Sequence, residues 1–122
     1  MIARAPTVAE EALIREALLA ARELRPYYGV AIAALAPRCV DSLATIAVGA
    51  DWSLYLDPAW LAALPLRCRG GVIAAHEVEH LLRAHSDRRG TRDAAPWNGA
   101  GDCEINDDAD LADLPPGALM PV

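Results

Sequence analysis

The feature that most constrains this chain is the sequence His-Glu-Val-Glu-His at residues 76–80, which directly follows an apolar run at residues 71–75. The surrounding apolar pattern predicts a buried helix over about residues 69–88. On an α-helix, residues four apart differ by about 40° around the axis, so His76 and His80 would point the same way. Two imidazoles in that arrangement can bind one metal ion, and we predict a zinc site there.

The residue after the first histidine adds a candidate for catalysis. The carboxylate of Glu77 can reach a metal-bound water, take its proton as general base and pass the proton to a leaving amine. The motif therefore predicts a zinc-dependent peptidase, with His76 and His80 as ligands and Glu77 as the catalytic base. Because the motif also arises by chance, the alternative interpretation is a helix whose surface histidines pair with Glu77 and Glu79.

A third protein ligand is expected, because a catalytic zinc ion normally has three and leaves one position open. His85 is nearest in sequence, but on a continued helix it would lie about 140° from His80 around the axis. Asp102 recurs at four-residue spacing with Asn98 and Asn106, which predicts a polar stripe on a last helix. We expect Asp102 to complete the site and Asn106 to orient a ligand. The alternative for this segment is a solvated acidic helix end.

Composition limits the classes of protein to consider. With 122 residues, 54% of them hydrophobic, the chain is expected to form a single domain over residues 1–122. The net charge of −6 argues against binding nucleic acid, since phosphates require a positive patch. Neither a signal peptide nor the roughly 18 apolar residues of a membrane span is evident. The three cysteines lack Cys-x-x-Cys spacing, which favours free thiols and a cytoplasmic location.

Local signals predict a small α+β domain. A capping box of Thr7 and Glu10 predicts the start of a first helix, which should end before Pro26. Asp57 as N-cap and Pro58 at the first helical position predict another, short helix.

Three segments have strand-like composition, at residues 27–35, 45–48 and 52–56. The first should end at the break of residues 36–38, and the other two should pair as a hairpin. Together with helices at about residues 69–88 and 97–108, this predicts a mixed or antiparallel sheet of about three strands with about four helices.

Four sequence blocks add a family resemblance. They are Thr-Ile-Ala-Val at 45–48, Leu-Tyr-Leu-Asp-Pro at 54–58, His-Glu-Val-Glu-His-Leu-Leu-Arg-Ala-His at 76–85 and Trp-Asn-Gly-Ala-Gly-Asp-Cys-Glu-Ile-Asn-Asp-Asp at 97–108. In order and spacing, the blocks resemble the N-terminal metallopeptidase domain of the von Willebrand factor A-like predicted metal-dependent peptidases of bacteria.

The resemblance implies a zincin-like fold and zinc peptidase activity on a peptide or protein substrate. It implies His76 and His80 as metal ligands and Glu77 as the catalytic carboxylate, and the Asp of its Trp-Asn-x-x-x-Asp block falls on Asp102. Family members usually continue into a von Willebrand A-like domain, whereas this chain stops at Val122. The resemblance therefore also implies such a domain, or an ATPase, as a partner.

Two questions stay open from the sequence. A residue that stabilises the oxyanion is expected, and no spacing argument chooses among Tyr27, Tyr28 and Tyr55. The strand at residues 52–56 is expected to offer an edge along which an extended peptide lies.

The alternative function is a non-catalytic domain that binds a protein partner, with either a structural zinc or an empty site. The intact Glu77 favours the peptidase, because a structural site has no need of that carboxylate.

Overall fold

The computed structural model describes residues 2–83, 88, 89 and 91–93. In chain order the elements are α1 (Val8–Leu24), a 3-10 helix (Pro26–Tyr28), α2 (Gly29–Ala34), β1 (Ala36–Cys39), β2 (Ile46–Val48), β3 (Ser53–Leu56), α3 (Pro58–Ala63), α4 (Leu66–Gly71), a π-helical turn (Val72–Glu77) and α5 (Val78–Leu82). This part of the chain has the predicted mixed α+β composition. No helix within it is long and apolar enough to cross a membrane.

Helix α1 begins and ends where the sequence predicts. The hydroxyl of Thr7 accepts a hydrogen bond from the Glu10 amide at 3.2 Å, and the Glu10 carboxylate accepts one from the Thr7 amide at 2.9 Å. This reciprocal pair satisfies two amides that have no partner within the helix. One face of the helix is small and fully buried, with Ala17 and Ala21 both at 0% exposure. A second helix can therefore approach α1 closely.

The predicted strand at residues 27–35 is wrong. This segment forms the 3-10 helix and α2 instead, in which Ile32 is buried and Val30 is 88% exposed. Alanine-rich sequence has a high helix propensity, and one inward-facing residue per turn is enough to anchor a short helix on the core. The β-branched residues that suggested a strand do not outweigh these two effects.

The first strand forms where a break was predicted, at Ala36–Cys39, although it contains Pro37. The amide of Ala36 donates to Trp52 beside β3, whereas the amide of Cys39 donates to Arg4 on the opposite side. Because backbone groups alternate along a strand, Pro37 faces the same side as Cys39. Its missing N–H therefore costs no hydrogen bond between β1 and β3, which is how an outer strand tolerates proline.

The sheet has the order β1-β3-β2. Strands β2 and β3 pair antiparallel as the predicted hairpin, and β1 pairs parallel with β3, so the sheet is mixed. Strand β3 therefore lies in the centre, with both of its edges hydrogen-bonded. The prediction that residues 52–56 offer a free edge is wrong, because that strand already has two neighbours. The outer strands of the described sheet are β1 and β2.

Residues 66–82 form one continuous helical run, here called the motif helix, made of α4, the π-helical turn and α5. The backbone stays right-handed helical through Gly71, Val72, Glu77 and Val78. It starts earlier than predicted, and its predicted end near residue 88 lies beyond the described stretch at 2–83. The motif helix packs against α1, and its buried side chains are those of Val72, Ile73, Ala74, Ala75, Glu77 and Val78.

Candidate metal centre

The structure brings the two motif histidines together. His76 lies in the π-helical turn and His80 in α5. Their ring centroids are 4.9 Å apart, with the ring planes at 84° to each other. The side chain of His76 is 16% exposed, so the pair lies at the margin of the core and can be reached from outside. The predicted common orientation of these imidazoles is therefore present, and their role as metal ligands stays a prediction.

A π-helical turn, which the sequence did not predict, carries the first half of the motif. The amide of Val78 donates to the carbonyl of Ile73, five residues back. Turns of this type are uncommon, and they are often found at functional sites. Every residue from 71 to 78 except His76 is buried, so the apolar pattern of this segment has no period that could distinguish a π-helical turn from an α-helix.

Glu77 places a carboxylate inside the protein beside the first imidazole. It is only 6% exposed, and its Oε1 lies 4.0 Å from Nε2 of His76. The carboxylate therefore lies next to a ring nitrogen that could bind a metal ion. This position suits a carboxylate that acts on a group bound at that metal.

Glu79 is occupied by groups other than the histidines. Its Oε1 accepts a hydrogen bond from the hydroxyl of Tyr28, and its Oε2 accepts one from Nε of Arg83 at 3.0 Å. The hydrogen bond to Glu79, with burial, raises the pKa of Tyr28 to about 12. The alternative interpretation of the motif had both glutamates paired with surface histidines. At Glu79 the structure shows other partners, Tyr28 and Arg83.

The third ligand is not decided by the structure. His85, Asp102 and Asn106, together with Cys103, lie outside the described residues. Within residues 2–83, 88, 89 and 91–93, no three His, Cys, Asp or Glu side chains come together as a metal site. Two imidazoles still fit a metal by their chemistry, because neutral imidazole nitrogen is a common ligand of zinc and other transition metals. A donor from elsewhere in the chain is needed to complete the set.

The three tyrosines that the sequence could not rank differ clearly in position. Tyr28 reaches the motif helix through Glu79, whereas Tyr27 is 76% exposed and Tyr55 lies in the central strand β3. Tyr28 and Glu79 are 51 residues apart in sequence, so spacing carries no signal of their contact. Only the packing of the 3-10 helix beside α5 reveals it.

Comparison with known proteins gives one match. A family described as "Putative metallopeptidase domain" matches residues 10–121, which include the complete motif. No curated protein and no solved structure matches the chain significantly. The family match carries no information on a von Willebrand A-like domain. Since it covers nearly all of the 122 residues, the chain belongs to this family of metallopeptidase-like domains.

Proposed function

We propose that this protein is a zinc-dependent peptidase of zincin-like fold. In this proposal His76, His80 and Asp102 bind the metal, and Glu77 is the general base. The observation that carries it is the pair of imidazoles with centroids 4.9 Å apart beside a carboxylate that is only 6% exposed. Membership of a family described as metallopeptidase-like supports the same reaction class.

The chemistry divides between the metal and the chain. Zinc, when bound, would polarise the peptide carbonyl and lower the pKa of water towards about 7. Glu77 takes the proton from the attacking water and then delivers it to the leaving amine. Its burial keeps the carboxylate in place next to His76, so that no reorganisation is needed when the proton moves. A group that stabilises the oxyanion is also expected near His76 and His80.

The substrate proposed is a peptide or protein in extended conformation. Strand β2 contacts both the π-helical turn and α5, so an outer strand of the sheet borders the motif helix. An extended peptide could add to β2 by main-chain hydrogen bonds, as in other cases of strand addition. The proposed docking edge is therefore β2 and not β3, because both edges of β3 are already paired.

A cytoplasmic location belongs to the same proposal. Cys39 and Cys68 are both buried thiols, and burial raises the pKa of Cys39, which keeps it protonated and unreactive. Thiols of this kind suit a reducing compartment.

Replacing Glu77 by Gln tests the catalytic part of the proposal. Glutamine keeps the size of the side chain and removes the base, so zinc content and melting temperature should stay close to wild type. Hydrolysis should fall on the order of 100-fold to 10,000-fold. Cleavage of an unfolded protein or a peptide library, with zinc supplied, is the assay, and Glu16→Gln on the exposed face of α1 is the matched control.

Three outcomes are informative. Cleavage by the wild type and by Glu16→Gln, but not by Glu77→Gln, supports the peptidase. Equal cleavage by all three proteins indicates a contaminating protease and contradicts the assigned base. Zinc binding without cleavage by any of them favours the alternative function, a non-catalytic domain that binds a protein partner.

A further inference from the structure

One hydrogen bond ties the motif helix to a distant part of the chain. The hydroxyl of Tyr28, on the 3-10 helix that follows α1, donates to Oε1 of Glu79. The other carboxylate oxygen accepts from Nε of Arg83 at 3.0 Å, so both oxygens of Glu79 are held. The side chains of Glu79 and Arg83 are 16% and 22% exposed, which limits competition from water.

This bond reaches the same side of the helix as the two histidines. Glu79 is three residues after His76 and one before His80, so the three side chains fall within an arc of about 100°. Whatever fixes Glu79 around the helix axis therefore also fixes the direction of His80.

The position of the bond along the helix matters as well. The π-helical turn ends at Glu77, and α5 contains only the five residues Val78–Leu82. A π-to-α boundary thus lies between His76 and His80, and a change of hydrogen bonding there would rotate one imidazole relative to the other. Within α5 Val78 is buried and Leu81 is partly buried against the core, whereas Leu82 is 47% exposed. These apolar contacts hold one face of α5, and the bond to Tyr28 adds a polar contact at Glu79.

We propose that Tyr28 is a positioning residue for the metal centre. This inference rests on the proposed function. By donating to Glu79, Tyr28 fixes the rotation of α5 and keeps the imidazole of His80 facing that of His76. Tyr28 acts through Glu79 and binds neither metal nor substrate.

Removing the single hydroxyl is the first test. Tyr28→Phe should lower zinc affinity by about 10-fold to 100-fold, the usual effect of losing a group that orients a ligand. Tyr27→Phe is the matched control, because it removes the same atom from the adjacent ring, which is 76% exposed and stacks edge to face on Tyr28. Affinity is measured by competition with a chelating indicator, and melting temperatures are recorded without metal.

A readout of ligand geometry separates positioning from general stabilisation. At saturating cobalt(II), the visible ligand-field spectrum should change in Tyr28→Phe and be unchanged in Tyr27→Phe. A loss of stability alone would reduce the amount of folded protein without changing the band positions.

Variants of the acceptor provide a second route if Tyr28→Phe fails to fold. Glu79→Gln keeps a carbonyl oxygen for the Tyr28 hydroxyl and should keep most of the zinc affinity. Glu79→Leu should lose at least as much affinity as Tyr28→Phe, because it also removes the bond from Arg83. The double variant should be no weaker than Glu79→Leu, since each single change already removes the bond between Tyr28 and Glu79.

The outcomes distinguish this inference from the function on which it rests. If the wild type binds zinc and Tyr28→Phe matches Tyr27→Phe in affinity and cobalt spectrum, the positioning role is wrong and the metal site stands. Equal affinities for Glu79→Gln and Glu79→Leu would also overturn it. If the wild type binds no zinc, both the proposed function and the positioning role fail.

Discussion

Gly70 lies so close to Ala20 that a β-carbon on Gly70 would be 2.8 Å from the Ala20 carbonyl carbon. Real β-carbons do not approach backbone atoms to that distance, so α4 can pack here on α1 only through a glycine. The contact lies two residues before the π-helical turn that carries His76. Helix α1 is thus the support that sets the position of the motif helix.

Gly70→Ala should therefore destabilise the protein. The new methyl group must push two packed helices apart against rigid backbone, at a cost of about 3 kcal/mol in the free energy of unfolding. The better helix propensity of alanine, about 1 kcal/mol, offsets only part of it. Urea denaturation measures the difference. Gly29→Ala is the control, since its β-carbon would meet nothing within 4 Å and its φ of −53° is helical. Equal stability of Gly70→Ala and wild type would refute the close contact.

Asp57 is predicted to be the most important polar residue of the sheet-to-helix connection. Its Oδ1 accepts from the Ala59 amide at 3.1 Å and caps α3, and its Oδ2 accepts from the Ala44 amide at 2.9 Å. It is 7% exposed, and Ala44 has a left-handed φ of 56° that this bond helps to hold. Asp57→Ala should cost about 2–3 kcal/mol in unfolding free energy.

Denaturant titrations of Asp57→Ala and Asp57→Asn measure that loss. Asparagine keeps one acceptor, so it should lose about half as much as alanine. The control is Asp51→Ala, which removes an exposed carboxylate that accepts from the Ser53 amide. If Asp57→Ala costs no more than Asp51→Ala, the role given to Asp57 is incorrect.

The ion pairs of Arg4 predict how stability depends on pH. Arg4 donates to both Glu10 and Asp41, and the bond from Arg4 lowers the pKa of Glu10 from 4.5 to about 2. Since the folded-state pKa lies below the ordinary value, this contribution to stability is complete above pH 4.5 and is lost as the pH falls towards about 2.

Arg4→Gln should return the pKa of Glu10 towards its ordinary value and flatten the dependence of unfolding free energy on pH in that window. Carboxyl NMR titration follows Glu10 directly, and Arg38→Gln on β1 serves as the control. A wild-type Glu10 that titrates near pH 4.5 would contradict the ion pair.

Asp102→Ala should lower zinc affinity strongly, and His85→Ala should leave it nearly unchanged. The reason is the sequence pattern, which predicts that Asp102 lies on a polar stripe of a last helix and that His85 would turn away from His80 on a continued helix. Asn106→Ala should reduce the affinity by about 10-fold, as a residue that orients a ligand. Metal titrations of the three variants decide the ligand set, and loss of zinc from His85→Ala but not from Asp102→Ala would reverse the assignment.

The features predicted correctly from the sequence depend on short-range chemistry. The capping box of Thr7 and Glu10 and the Asp57 cap before Pro58 each join a side chain to backbone within a few residues, and the β2–β3 hairpin pairs two strands separated by a short turn. Such pairs form whenever the local backbone allows, so the pattern alone predicts them. The shared direction of His76 and His80 follows in the same way from helical geometry.

The features that the sequence did not predict depend on contacts between distant segments. Most of residues 27–35 became helical because Ile32, the buried residue of α2, anchors that helix on the core. Strand β1 accepts Pro37 because the N–H that proline lacks would point away from β3. The bond between Tyr28 and Glu79 joins residues 51 apart, and nothing near either residue indicates the partner.

The metal content of the purified protein tests the central claim most directly. Native mass spectrometry after zinc is supplied should show one zinc ion per chain for the wild type and for Glu77→Gln, and none for His76→Ala or His80→Ala. The two histidine variants should remain folded without metal, as circular dichroism would show. A wild-type protein that takes up no zinc, or histidine variants that bind it as the wild type does, would contradict a metal centre at His76 and His80.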